Sequence, residues 1–333
     1  MQVTFDTNGN EKQKEVVSHW LNSEVGDIVY GGSKGSGKSY LGCSLIFGDA
    51  FIYPGTHYFI ARKELNDLRK YTIPSIYEVF EHWGLNDKYY KYNGQDSFFN
   101  LHNGSKVYLI DAKTLPSDPQ FQRFGSMQMT RGWIEEAGEF EQLAKDGLAV
   151  SLGRWKNDFY NLPGKLLQTC NPSKNYLYYE YYQKHKQGNI ESWKRFVQAL
   201  PQDNKKLPEG YLEHLERTLS KTEKQRLLHG DWEYDDDPSA LIHYEKILDC
   251  FTNKFDSLTG SSFITCDVAR FGSDKTVIGV WNGWHCKLHS YSGLSVKETA
   301  AKITDFRERL SIATSQVIAD EDGVGGGVVD ILG

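Results

Sequence analysis

A glycine-rich loop near the start of the chain, GGSKGSGKS at residues 31–39, constrains the fold more than any other feature. It matches the pattern G-x-x-x-x-G-K-[ST], with a buried-strand pattern, GDIVY, before it and a helix pattern, SYLGCSLIFGDAF, after it. Glycines let successive backbone N–H groups point at a phosphate, and the helix N-terminus adds a favourable dipole. The sequence therefore predicts a nucleotide site in an α/β domain, with a mostly parallel sheet flanked by helices.

Each residue of this loop has a predicted place around the nucleotide. Lys38 is expected to contact the β- and γ-phosphates of ATP, and the Ser39 hydroxyl to ligate Mg²⁺. The other loop residues are expected to surround the phosphates: Gly32, Ser33, Lys34, Gly35, Ser36 and Gly37.

Two further stretches complete the expected hydrolytic site. Glu135 and Glu136, in WIEEAGEF, follow a short strand pattern about a hundred residues beyond the loop. An ATPase of this kind needs one acid that holds Mg²⁺ through water and a neighbouring carboxylate that activates the attacking water. Asn171, in TCNP, ends a strand pattern at 166–169 and is expected to sense the γ-phosphate; a simple strand-ending turn is the alternative.

Composition and charge exclude several classes of protein. The 333-residue chain is long enough for two domains. It has no apolar run of transmembrane length and no signal peptide, so we expect it in the cytoplasm. Its net charge of −6 argues against a passive nucleic-acid coat without excluding a local basic groove. The five scattered cysteines predict neither a disulfide framework nor a zinc site.

A basic stretch and a hairpin pattern lie between the loop and the acid pair. YFIARKELNDLRK predicts a strand and a helix start with four basic residues, either on a surface that touches a moving polymer or on an ordinary solvated face; they are Arg62, Lys63, Arg69 and Lys70. SFFNLHNGSKVYLIDA predicts a hairpin with its turn at Asn103 and Gly104.

The last part of the chain has the pattern of a second α/β domain. FITCDVA, KTVIGVW, WHCKLHSYS and SQVIAD predict four strands, with a helix, SVKETAAKITDFRERL, before the fourth. A right-handed crossover can lay the fourth strand parallel to the first and bring Asp267 and Asp320 side by side. Shared carboxylates of this kind suit two-metal phosphodiester cleavage with Mg²⁺ or Mn²⁺. A strand-end cap is the alternative for either aspartate alone.

These residues together resemble the large terminase subunit of tailed bacteriophages. The resemblance rests on GGSKGSGKS, WIEEAGEF, TCNP, RLLHGDWE at 226–233, DVARFGSDKT and ADEDGVGGGVVD, which come in the family's order and cover nearly the whole chain. It implies an ATPase domain at 1–232 with a lid or linker subdomain from about 173. It further implies a linker at 233–260, and at 261–333 the first part of a nuclease with an RNase H-like fold.

The resemblance also implies roles for single residues. Glu135, where the family often has Asp, corresponds to the acid that holds Mg²⁺, and Glu136 to the catalytic acid. An arginine about a dozen positions before the acid pair acts in trans in some members. Arg123 matches that arginine, with Arg131 as the alternative. Gln13 resembles a glutamine that contacts adenine.

A member of this family is expected to use ATP hydrolysis to drive double-stranded DNA into a procapsid and to cut concatemeric DNA. Its expected partners are duplex DNA, the portal protein of the procapsid, the small terminase subunit and further copies of the chain in a ring; a monomer in solution is the alternative. The expected location is the host cytoplasm, with no membrane and no place in the mature virion. The third nuclease acid is expected beyond residue 333, which would leave the nuclease incomplete. A helicase-like or DNA-repair ATPase and a nucleotide-switched assembly adaptor are the competing interpretations.

Overall fold

The computed structural model describes residues 6–7, 9–234, 260–269, 274–320 and 325–332. The chain divides into two units, Met1–His243 and Tyr244–Gly333. The predicted linker at 233–260 lies almost wholly outside the described residues, so the domain boundaries remain predictions. None of the helices in the described ranges is both long and apolar enough to cross a membrane.

The first unit is built on eight strands: β1 Asp27–Gly32, β2 His57–Arg62, β3 Tyr90–Asn93, β4 Phe98–Leu101, β5 Lys106–Asp111, β6 Arg131–Ile134, β7 Leu166–Cys170 and β8 Lys194–Ala199. They form one sheet in the order β3-β4-β5-β2-β6-β7-β1-β8. In the sheet, each strand pairs in parallel with its neighbour along the series β5-β2-β6-β7-β1-β8. The strands at the other edge, β3, β4 and β5, pair antiparallel. The predicted, mostly parallel sheet is therefore confirmed.

Helices cover both faces of this sheet, because alternate side chains of the central strands point to opposite faces. In β1, Ile28 and Tyr30 pack in one hydrophobic cluster and Val29 in the other. The α-helices are α1 Glu11–Leu21, α2 Lys38–Ile52, α3 Leu65–Asp67, α4 Ile73–His82, α5 Gln142–Val150, α6 Asn157–Tyr160, α7 Gln183–Lys186, α8 Tyr211–Thr218 and α9 Lys221–Glu223. Turns of π-helix lie at Leu68–Thr72, Tyr178–Tyr182 and Lys224–Leu228, and 3₁₀ turns at Gln122–Phe124, Ala137–Glu139 and Pro201–Asp203.

The predicted hairpin is the pair β4 and β5. The turn places Gly104 at φ +82°, and the Gly104 N–H donates to the Leu101 carbonyl at 2.9 Å. A positive φ is easily adopted by glycine, which explains why the turn falls at this point. The hairpin prediction is confirmed, and β3 adds an edge strand to it.

The elements of the second unit are β9 Ser262–Asp267, β10 Lys275–Asn282, β11 His285–Ser292, α10 Val296–Arg309, a 3₁₀ turn Thr314–Gln316, β12 Val317–Ala319 and α11 Gly326–Leu332. Its four strands form a sheet in the order β11-β10-β9-β12. β10 pairs antiparallel with both β9 and β11, whereas β12 lies parallel to β9. Ile264, Cys266 and Ile278 pack against Ile303 and Phe306 of the long helix. The predicted order of strands and helix is confirmed.

Candidate active site

Three neighbouring strands of the first sheet end at the residues that the sequence singles out. β6, β7 and β1 lie side by side in parallel, so their carboxyl ends share one edge of the sheet. Glu135 and Glu136 follow β6, Asn171 follows β7, and the glycine-rich loop follows β1. Side chains from distant parts of the chain therefore meet at this edge.

The glycine-rich loop connects β1 to α2, as predicted. Gly35 and Gly37 have φ values of +84° and +81°, which a glycine adopts at little cost. The Ser33 N–H donates to the Ala199 carbonyl at 3.0 Å, and Asn204 Nδ2 donates to the Gly35 carbonyl at 2.8 Å. Segments that follow β7 in the chain thus hold a loop whose glycine conformations suit phosphate binding.

The remaining loop residues show how tightly the loop is held. A Cβ at Gly32 would lie 1.8 Å from a carbonyl oxygen of β8, so no side chain fits there. Ser36 Oγ donates to the Ser33 carbonyl at 2.9 Å. Lys34 has an exposed side chain, and its N–H donates to the Leu227 carbonyl at 2.8 Å.

Lys38 begins a chain of hydrogen bonds that joins all three strand ends. Lys38 Nζ donates to the Ser33 carbonyl at 2.6 Å and to Asn171 Oδ1 at 3.2 Å. Asn171 Nδ2 donates to Glu136 Oε2 at 3.1 Å. Loss of solvation lowers the pKa of Lys38, and the nearby Glu136 carboxylate acts in the opposite direction. The loop lysine and the second glutamate therefore both contact one amide side chain.

Glu135 lies deeper, with 4% of its surface exposed. Burial raises the pKa of its carboxyl, and hydrogen bonds from Ser39 and Thr72 together with the charge of Arg62 oppose that rise. The Ser39 hydroxyl and the Glu135 carboxylate are adjacent oxygen ligands of the kind that Mg²⁺ prefers. The two residues predicted to share the ATPase metal fit that ion in position and chemistry.

Glu136 has an unusual backbone conformation, with φ +51° and ψ +49°. This left-handed conformation is energetically unfavourable for a glutamate, and such conformations are common at functional sites. It turns the chain directly after β6, so that Glu135 is buried while Glu136 is partly exposed and contacts Asn171.

Gln13 lies on α1 beside the loop, where its Nε2 donates to the Gly37 carbonyl at 3.0 Å. It lines a cleft of about 200 Å³ that opens next to the start of α2. The cleft is also lined by polar and aromatic side chains, a composition that suits a nucleoside. They are Thr7, Tyr40, Glu78, His82, Asn204 and Lys206.

The two candidate trans-acting arginines differ in burial. Arg131 is 4% exposed, and its Nη1 lies 2.8 Å from Asp49 Oδ2 in a buried ion pair. Arg123 is more accessible, with its side chain 25% exposed, and its Nη1 lies 2.9 Å from Asp118 Oδ2. Arg131 is therefore held in the core, whereas Arg123, whose Nη2 also donates to the Lys113 carbonyl at 2.6 Å, is the more accessible of the two candidates.

The basic stretch after β2 divides into inward and outward side chains. Arg62 is 13% exposed at the side chain, and its Nη2 lies 4.0 Å from Glu139 Oε1. Lys63 and Lys70 are exposed. The exposed lysines are available for a polymer contact or form a solvated face, the two predicted alternatives, whereas Arg62 is mostly buried and lies near Glu139.

Sequence reasoning also missed Thr72, whose hydroxyl donates to Glu135 Oε2. No motif in the sequence marks this threonine. Its contact depends on how the chain turns between β2 and α4.

Asp267 and Asp320 of the second unit lie at neighbouring strand ends, as a right-handed crossover predicts. β12 pairs in parallel with β9, with Ala319 opposite Cys266. The Asp320 N–H donates to the Cys266 carbonyl at 3.1 Å, so Asp320 and Asp267 occupy neighbouring positions at the two strand ends. The predicted juxtaposition is confirmed. Within the described residues, no group of three or more His, Cys, Asp or Glu side chains could hold a metal ion.

The parallel sheet, the glycine-rich loop with its lysine and the acid pair at one sheet edge define the first unit as a P-loop nucleotide-binding domain. A family model described as "Terminase large subunit, T4likevirus-type, N-terminal" matches residues 29–249. The chain therefore belongs to the large terminase subunit family. No curated protein matches the sequence.

Solved structures of the large terminase from the thermophilic bacteriophage D6E share the fold. One has a TM-score of 0.55 at 17% identity and covers 97% of this chain and 79% of that chain. The ADP complex of the same terminase gives a TM-score of 0.54 at 18% identity, with the same coverage of 97% and 79%. The ATP-γ-S complex gives 0.51 at 17% identity over the same shares. At this level of identity the comparison shows a shared fold, which extends over 97% of the chain and includes both the parallel-rich sheet and the four-stranded sheet.

Proposed function

We propose that the chain is the ATP-hydrolysing subunit of a motor that moves double-stranded DNA into a viral procapsid. The observation that carries the ATPase part is the hydrogen-bonded series Lys38, Asn171 and Glu136 at the carboxyl edge of the sheet. Membership of the large terminase subunit family supports the packaging part.

In this proposal Lys38 exchanges its contact with the Ser33 carbonyl for oxygens of the β- and γ-phosphates. Glu136 orients the attacking water and accepts its proton. Asn171 contacts both residues, so loss of the γ-phosphate at Lys38 would change the hydrogen bond that Asn171 makes to Glu136. The cleft beside Gln13 would receive the adenine base.

Ser39 and Glu135 are the residues that would hold Mg²⁺ with the nucleotide. When bound, the ion neutralises charge that develops on the phosphates. The residues of the loop would keep the phosphates oriented and exclude water other than the one that reacts.

The proposed partners are duplex DNA, the portal protein of the procapsid, the small terminase subunit and neighbouring copies of the chain in a ring, in the host cytoplasm. Within such a ring, Arg123 would leave Asp118 and act on the nucleotide of a neighbour. An arginine supplied in this way contributes on the order of 10³–10⁵ in turnover, so an isolated subunit should be a slow ATPase.

The first experiment is an ATPase assay of the purified chain with and without linear duplex DNA. We expect Lys38→Ala to abolish nucleotide binding, because the phosphates lose their main cation. Glu136→Gln should bind ATP and fail to hydrolyse it, because only water activation is lost. A normal rate in Glu136→Gln would show that another carboxylate is the catalytic one.

The same assay separates the competing functions. Stimulation by procapsid together with duplex DNA favours packaging, and strand separation on a forked duplex favours a helicase. A nucleotide-switched adaptor would bind ATP without turnover even in the unmodified chain.

We further propose that the second unit is part of a nuclease that cuts concatemeric DNA. Asp267 and Asp320 would hold the Mg²⁺ or Mn²⁺ that the nuclease uses. Carboxylate ligands suit these ions, which activate water and stabilise the leaving oxygen when bound. Any metal-dependent cleavage should be lost in Asp267→Asn and in Asp320→Asn. Asp305→Asn is the matched control, because Asp305 is an exposed acid on α10 that pairs with Arg309. Cleavage that survives in Asp267→Asn would contradict the assignment.

A further inference from the structure

We propose that Thr72 is a positioning residue for ATP hydrolysis, which holds the Glu135 carboxylate in place beside Ser39. The inference rests on the proposed ATPase function and adds to it a residue that none of the sequence motifs contains. Thr72 is fully buried, and its hydroxyl donates to Glu135 Oε2.

The helix around Thr72 is built so that this contact can form. α3, a π-helical turn at Leu68–Thr72 and α4 follow one another without a break from 65 to 82. A π turn inserts one extra residue into an α-helix, and such insertions occur often at functional sites. One residue corresponds to about 100° of rotation around the helix axis, so the insertion decides which side chain faces Glu135.

The hydroxyl of Thr72 is used differently from that of most helical threonines. A threonine inside a helix commonly bonds a carbonyl of its own preceding turn. Thr72 instead bonds a carboxylate that lies 63 positions along the chain and is itself 4% exposed. Without this donor, a buried carboxylate oxygen would lose a charge-assisted hydrogen bond and keep the one that Ser39 donates to the same carboxyl.

The packing of α4 gives Thr72 a fixed base from which to act. Ile76, Val79 and Phe80 of α4 are buried, and the Phe80 ring packs edge-on against Phe47 of α2 at 4.8 Å between centroids. α2 begins at the loop lysine, so one helix pair fixes both the loop and the donor to Glu135. Thr72 therefore positions the carboxylate relative to Ser39.

The test compares Thr72→Val, which keeps the shape and removes the hydroxyl, with Thr72→Ser, which keeps the hydroxyl. Equilibrium binding of a fluorescent ADP analogue is measured with and without Mg²⁺, together with kcat and KM for ATP. Without Mg²⁺, we expect Thr72→Val to bind the ADP analogue as tightly as the unmodified chain does. With Mg²⁺, the variant should bind the analogue about ten-fold more weakly than the unmodified chain. Its kcat should fall about ten-fold or more, with a small change in KM, and Thr72→Ser should stay within about three-fold of the unmodified chain.

A double-mutant cycle with Glu135→Gln shows whether the threonine acts through Glu135. Once Glu135 is neutral, adding Thr72→Val should change Mg²⁺-dependent affinity by less than about two-fold. The inference would be overturned if Thr72→Val reduced Mg²⁺-dependent affinity as much in the Glu135→Gln background as in the unmodified chain. It would also be overturned if Thr72→Val and Thr72→Ser had equal affinity and kcat. An unmodified chain that binds no nucleotide, like Lys38→Ala, would instead contradict the proposed ATPase function.

Discussion

At Arg131 the guanidinium lies between the Asp49 carboxylate and the Pro163 carbonyl, with the Trp20 ring 5.1 Å away. This buried contact leaves Arg131 much less accessible than Arg123. Arg123 stacks on Phe124 at 4.5 Å and keeps part of its side chain exposed. Exposure separates these two arginines, and sequence position does not.

We expect Arg131→Met to lower the free energy of unfolding by about 3–5 kcal/mol, because it leaves Asp49 buried without its partner. Urea unfolding followed by fluorescence measures this change. Adding Asp49→Leu should recover most of the loss, since the unpaired charge is then gone. Arg123→Met is the control, with a much smaller expected cost because its ion pair with Asp118 is partly exposed to solvent. If Arg131→Met slows the assembled motor without affecting stability, Arg131 serves a neighbour after all.

Lys165 is a second buried cation near this ion pair. It has no exposed surface, and its Nζ donates to the carbonyls of His19 and Asn22 at the end of α1. Burial, with a further contribution from the charge of Arg131, lowers its pKa to about 7. The unfolded chain, with a lysine pKa near 10.4, binds more protons between those values.

Stability should therefore rise with pH above 7 and be lost as the pH falls through 7. We expect the free energy of unfolding to increase by roughly 2 kcal/mol from pH 7 to pH 9 as a result of Lys165. The difference between the unmodified chain and Lys165→Met, measured by urea unfolding at each pH, isolates this contribution. A difference that does not change with pH would mean that Lys165 remains charged in the folded chain.

At the scale of elements, the approach of α2 to the sheet sets the position of the loop. A Cβ at Gly42 of α2 would lie 2.3 Å from the Trp133 ring of β6, whose Nε1 donates to Thr169 of β7. The helix that begins at Lys38 thus rests directly on the strands that carry the acid pair and Asn171.

We expect Gly42→Ala to lower the free energy of unfolding by about 1–3 kcal/mol, because the added methyl group overpacks the helix against Trp133. Nucleotide affinity should fall as well, since the loop moves with α2. Gly48→Ala on the same helix is the matched control: nothing lies within 4 Å of its Cβ position, and alanine there should stabilise by about 0.5–1 kcal/mol. Equal thermal denaturation midpoints for the two variants would contradict this account of the packing.

At the scale of the whole molecule, a net charge of −6 means that any DNA contact depends on local lysines and arginines. Lys63 and Lys70 are exposed on the segment after β2, whereas Arg62 lies beside Glu139. The charge of Arg62 also lowers the pKa of Glu135, so a substitution of Arg62 would affect the acid pair and would not test a surface contact alone.

We expect Lys63→Ala with Lys70→Ala to weaken duplex binding about equally on all sequences and to reduce the slope of log affinity against log salt by about 1–2. Fluorescence anisotropy over a salt series measures both quantities. Lys88→Ala with Lys91→Ala, another exposed pair, is the control for net charge. An unchanged slope in the first pair would show that these lysines form only a solvated face.

The sequence by itself determined the parts of this protein that depend on local physical rules. The loop motif needs only glycine conformations and a helix N-terminus, and the alternating apolar patterns predict the strands. The order of strands and a right-handed crossover were enough to bring Asp267 and Asp320 to neighbouring strand ends. Glu135, Glu136 and Asn171 could be predicted because parallel strands end at a common edge.

Only the tertiary structure decided which side chains are buried and which contact each other across the fold. Burial separated Arg131 from Arg123, and the end of β2 directed Arg62 away from the surface. The contact of Thr72 with Glu135 depends on a π-helical turn and on the packing of α4. These properties arise from contacts between residues that are distant in sequence. Propensity and periodicity describe a single helix or strand and not the surface against which it packs, so they cannot predict such contacts.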